Sequence, residues 1–138
     1  MSEPPPSVHA ELVWAGDHRF AATSGSNALV VDGRGGAGAS PMQLVAIGVA
    51  GCMAIDVVAI LEKGRHALRG LRVSLDGTRL PEVPRCFTAF ALHFHVTGDV
   101  PDEAVERAID LSRTKYCSAW LSIRGDVTMT TAFTIARE

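Results

Sequence analysis

Between residues 44 and 61 the chain is apolar at nearly every position, and only Cys52 and Asp56 interrupt the run. A stretch that is apolar on all faces, not along one stripe, predicts a long helix enclosed by other groups. Its start is marked by Ser40 as a cap, Pro41 at the first helical position and Gln43 where a capping box wants a carboxamide. Gly64 marks its end, and Glu62, Lys63 and Arg65 mark the return to water.

Most of the remaining chain has a period of two. Residues 11–20 read as a strand, a tight turn at Ala15 and Gly16, and a second strand starting near His18. Turn residues at 24–27 lead into a third short strand at 28–31. Residues 68–80 alternate, with Leu71, Val73 and Leu75 on one face and Arg72, Ser74 and Asp76 on the other. Residues 85–97 alternate too, Phe90, Leu92, Phe94 and Val96 opposing His93 and His95, so a hairpin with its apolar face on the long helix is expected. Gly98, Asp99 and Pro101 announce an amphipathic second helix, whose inward stripe is Ala104, Val105, Ala108, Ile109 and Ser112. Residues 116–123 are apolar but short, compatible with a further turn of helix or with extended chain, and the β-branched segment 127–135 closes the sheet. The order is β-β-β-α-β-β-α-β, an α+β fold with sheets around a buried central helix. It is expected as a single domain over residues 1–138, with residues 1–10, which hold three consecutive prolines, as an extended lead-in.

Composition narrows the function classes. A net charge of −2 with the two signs interspersed argues against a nucleic-acid stripe or a polybasic membrane arm. The long apolar run is slightly shorter than the roughly 20 residues of a membrane span and carries Gly48, Gly51 and Asp56, so a core helix is expected. The first ten residues lack a basic region followed by an apolar run, which points to the cytoplasm. In a reducing compartment three cysteines without a CxxC pair are to be judged singly, as thiols. Residues 33–40, rich in glycine, lack the lysine and spacing of a phosphate loop and read as a flexible connection.

Cys52 lies among Gly48, Ala50, Gly51 and Ala54, small residues that let another backbone approach the thiol. Alone it reads first as a buried small hydrophobe, the usual state of a free cysteine. Asp56, one turn on, disfavours a thiolate unless a cation offsets it, and Arg19 is a candidate for that cation. Cys117, between Tyr116 and Trp120, and Cys86, at the start of a strand, both read as packing thiols by themselves. His93 and His95 share a strand face but lack a third ligand in the pattern.

The segment SPMQLVAIGVAGCMAIDVVAIL followed by AVERAIDLSRTKYCSAW resembles the OsmC/Ohr superfamily, named for osmotically inducible protein C and organic hydroperoxide resistance protein, and is most similar to its OsmC-like branch. The resemblance covers roughly residues 11–135. It implies an OsmC-like fold assembled as an intertwined homodimer with the long helices packed together. The implied activity is a thiol peroxidase that reduces organic hydroperoxides without metal or flavin. Cys52 then becomes the peroxidatic thiolate, Cys117 the resolving thiol that forms a disulfide with it, and Arg19 the activating cation. An external dithiol, of lipoyl type in the family, restores both thiols. The hydroperoxide-resistance branch has a glutamate after the helix-starting proline, where this chain has Met42, and this leaves the size of the activity open. A different class of function, a noncatalytic dimer that binds small apolar ligands and merely buries its thiols, fits the same composition. A metal protein using His93 and His95 is a third.

Overall fold

The computed structural model describes residues 3–137. The chain divides into two compact units, residues 1–45 and 46–138.

The first unit is an antiparallel meander of β1 (Glu11–Trp14), β2 (Arg19–Ser24) and β3 (Asn27–Asp32), in spatial order β1-β2-β3. Its two turns fall where the turn residues stand, with Gly16, Asp17 and Gly25 at positive φ. The glycine-rich segment that follows is a built loop, not the flexible connection expected of it. The buried Asp32 carboxylate accepts the Ala37 amide at 2.8 Å and the Arg34 amide at 2.9 Å, and these donors, Ala37 first, hold it below the usual carboxylate range. Gly38 is required there, because a Cβ would fall 2.1 Å from the Val30 carbonyl oxygen. The loop ends in a capping box. Ser40 Oγ accepts the Gln43 amide at 3.2 Å, and Gln43 Oε1 accepts the Ser40 amide at 2.9 Å.

The capping box opens α1 (Pro41–Lys63), the long helix, whose first turn is counted with the first unit and the rest with the second. In the chain it buries one stripe only, Val49, Met53, Val57 and Leu61, at i, i+4 spacing. Each of these contributes about 1.5–3 kcal/mol by burial. On the other side Ile47 and Ile55 are exposed, and a Cβ at Gly48 or Gly51 would meet nothing within 4 Å. The helix is therefore apolar all round, as its sequence reads, but enclosed on one face. At its end the left-handed residue is Arg65 (φ 60°), not Gly64. A Cβ at Gly64 would reach the His66 ring at 2.9 Å, so a larger residue there would displace that side chain.

The second unit has a sheet in the order β4-β5-β6, formed by β4 (Ala67–Arg79), β5 (Phe87–Asp99) and β6 (Thr128–Ala136). β4 and β5 make the expected antiparallel hairpin, with Leu71 opposite Val96 and Val73 opposite Phe94. β5 pairs with β6 in parallel, so the expectation of antiparallel sheets is corrected for this edge. The reason is the connection: a helical crossover between the two strands returns the chain in the same direction, which a tight turn cannot do. That crossover is α2 (Asp102–Leu111), a π-turn at Ser112–Tyr116 and a short α3 (Ser118–Leu121). The order gains this third helix over the predicted one, and the ambiguous apolar stretch resolves into the end of the π-turn and α3. The core joins the α1 stripe to Phe90, Leu92, Phe94 and Val96 of β5 and to Val105, Ala108 and Ile109 of α2. Trp120 of α3 meets Phe90 edge-on at 6.0 Å.

Candidate active site

Cys52 and Asp56 stand one turn apart on α1 and therefore share a face. The π-turn brings two further groups to them. Its closing bond, from the Cys117 amide to the Ser112 carbonyl at 2.8 Å, spans five residues, one more than an α-helix allows. After it Cys117 is extended (φ −77°, ψ 96°) and caps α3, its Sγ accepting the Trp120 amide at 3.3 Å. Ser112, wholly buried, donates its hydroxyl to Asp56 Oδ2 at 2.8 Å.

The result is a cluster in which Cys52 Sγ, Cys117 Sγ and an Asp56 carboxylate oxygen all lie within 4.8 Å of one another. Cys117 has no exposure, whereas Cys52 and Asp56 keep some. Burial pushes the Cys117 thiol up to about 11; the Trp120 amide pulls against this, and Cys52 and Asp56 add to it. At neutral pH Cys117 is a protonated thiol, able to hand its proton on, and Cys52 is the accessible member of the pair. In chemical terms the site is a dithiol with one open and one closed member, poised beside a fixed carboxylate.

The two cysteines singled out from the sequence are thus brought together. Arg19 begins β2 in the first unit, half-exposed, with its guanidinium 3.7 Å from Asp17. Within residues 46–137 no cation approaches Asp56 to within 4.0 Å. Lys63 and Arg107 nonetheless line the same open cleft of about 510 Å³ as Asp56, together with Ile60, Leu111 and Tyr116. Neither was singled out from the sequence, although Lys63 lies seven residues after Asp56 and so on the same helix face. The sequence places Ser112 on the buried stripe of α2 but carries no sign of its partner. Cys86 lies elsewhere in the second unit, with Arg124 Nη1 at 3.7 Å from its sulfur. His93 and His95 stack at 4.1 Å between ring centroids and share Thr134 Oγ1, at 3.2 and 3.4 Å. Among the described residues they belong to no group of three metal-type ligands.

The sequence pattern of the family described as OsmC-like protein matches residues 33–132, which contain both thiols and Asp56. The chain belongs to the OsmC-like family. It is 42% identical over 131 residues to Protein YhfA of Escherichia coli strain K12, a match covering 93% of this chain and 98% of that protein. Among solved structures it resembles a hypothetical protein from Aquifex aeolicus with a TM-score of 0.91 at 22% identity, over 97% of this chain and 99% of that one. It also resembles an organic hydroperoxide resistance protein OsmC from Legionella pneumophila, with a TM-score of 0.68 at 20% identity, over 96% and 99% of the two chains. At these identities the two structures establish the fold. The α+β architecture with two three-stranded sheets is that of OsmC-like proteins.

Proposed function

We propose that this OsmC-like protein is a cytoplasmic thiol peroxidase that reduces organic hydroperoxides through Cys52 and Cys117. The observation that carries the reading is the thiol pair, one accessible and one buried, with sulfurs within 4.8 Å. The Cys52 thiolate attacks the terminal peroxide oxygen; the O–O bond breaks, an alcohol leaves after taking up a proton, and Cys52 becomes a sulfenic acid. The Cys117 thiol then attacks that sulfur, expelling water and leaving a Cys52–Cys117 disulfide. An external dithiol of lipoyl type reduces the disulfide and is itself oxidised. Neither step needs a flavin or a metal.

Attack by Cys52 needs its thiolate, and a cation beside the sulfur favours that form. Arg19 is proposed for this role, with Lys63 and Arg107 as the alternatives within the second unit. The exposed Ile47 and Ile55 and the open surface at Gly48 and Gly51 support a homodimer in which the α1 helices pack together.

The test is consumption of an organic hydroperoxide by the reduced protein with a lipoyl dithiol supplied, followed by mass spectrometry without reductant. The expected result is turnover that is abolished in Cys52→Ser, and a Cys52–Cys117 disulfide with Cys86 free. Absence of turnover with three unmodified thiols would overturn the reading in favour of a noncatalytic binder.

A further inference from the structure

We infer that the reduced Cys52–Asp56–Cys117 cluster is a binding site for a thiophilic divalent cation of the zinc class. Two sulfurs and a carboxylate oxygen within 4.8 Å of one another are the donor set that a borderline-soft ion prefers. Around a tetrahedral ion with metal–sulfur bonds of about 2.3 Å, two sulfurs stand about 3.8 Å apart. Side-chain rotation of about 1 Å therefore brings the three atoms onto one ion, with no movement of α1 or α3.

The support a metal site needs is also present. Ser112 donates to Asp56 Oδ2 and so orients the carboxylate, as ligating carboxylates are usually held. The Trp120 amide fixes Cys117 Sγ in the same way. Cys52 and Asp56 keep contact with solvent, which gives the ion a way in and leaves its fourth position to water. Charge balances: two thiols release two protons, and the divalent cation with two thiolates and one carboxylate leaves a single net negative charge. The two histidines on the outer sheet face, by contrast, offer two nitrogens and no third ligand.

A metal held this way ties up both sulfurs, and a disulfide removes two of its three ligands. Cation binding and oxidation of the pair therefore exclude each other. Binding itself requires only the reduced thiols and does not depend on the peroxidase reading.

The test titrates zinc into reduced, chelator-treated full-length protein against a chromophoric competitor, with no peroxide present, and repeats it with cobalt as the spectroscopic probe. One zinc per chain and thiolate-to-cobalt charge-transfer bands are expected. Asp56→Asn, Cys52→Ser and Cys117→Ser should each weaken binding by more than about tenfold, since loss of a supporting group alone has an effect of about 10–100-fold. His93→Ala/His95→Ala should bind as the wild type does. Alkylation of Cys52 in the folded wild type, which avoids any folding defect of the serine variants, should abolish the charge-transfer bands. Absence of stoichiometric binding, absence of thiolate bands, or wild-type affinity in Asp56→Asn or in the Cys52-alkylated protein would overturn the proposal.

Discussion

Removing the Ser112 hydroxyl tests whether the site is held as its geometry implies. Ser112 is wholly buried and donates to Asp56 Oδ2 at 2.8 Å, a bond of ordinary length to a carboxylate. Hydrogen bonds to charged groups contribute about 1.5–3 kcal/mol, and the lower end applies here because Asp56 retains contact with water. Ser112→Ala should therefore destabilise the chain by about 1.5 kcal/mol. With a urea dependence of about 2 kcal/mol per molar for a chain of this size, the unfolding midpoint falls by about 0.7 M while the slope is unchanged. Protein concentration is kept equal across variants, because any self-association would contribute to the midpoint. The same substitution in an Asp56→Ala background should have little effect, so that the double-mutant cycle returns a coupling energy of about 1 kcal/mol or more. A midpoint shift below about 0.2 M, or a coupling energy within the usual additivity error of about 0.5 kcal/mol, would refute the assignment.

The Cys117 thiol, pushed up to about 11 by burial, should resist alkylation at neutral pH and react only as the pH approaches that value; reaction at the rate of a free thiol at pH 8 would count against the closed site. A thiol whose folded pKa exceeds its ordinary 9.0 stabilises the fold fully below that value and loses this contribution as pH rises toward about 11, so Cys117→Ser should flatten the alkaline fall in stability. Gly98→Ala should destabilise the second unit by about 1–3 kcal/mol, because the residue sits at φ 138° with a Cβ position 2.1 Å from the Ala67 carbonyl oxygen; a melting temperature within a degree of wild type would contradict this.

Elements governed by neighbouring residues were legible in the chain. The capping box at Ser40 and Gln43, the alternation of β5 and the stripe of α2 each depend on contacts within a few residues, which the order of side chains records directly. The glycine-rich loop was not, because the carboxylate that organises it, Asp32, precedes it and resembles the end of a strand. The parallel pairing of β6 was hidden for another reason. β-branched residues favour any strand, and direction is set by the crossover before it.

The apolar run around Cys52 and the i, i+4 placement of Asp56 follow from sequence alone, because helix periodicity is local. Family resemblance paired Cys52 with Cys117, but no pattern in the chain specified a site around them. Only the tertiary structure set Ser112 and Cys117 against α1, since the hydrogen bond to Asp56 joins residues 56 positions apart and passes through a π-turn. Packing decided which thiol is open and which is closed, and burial then separated their chemistry. It also decided that α1, apolar on every side, is covered within the chain along only one of them.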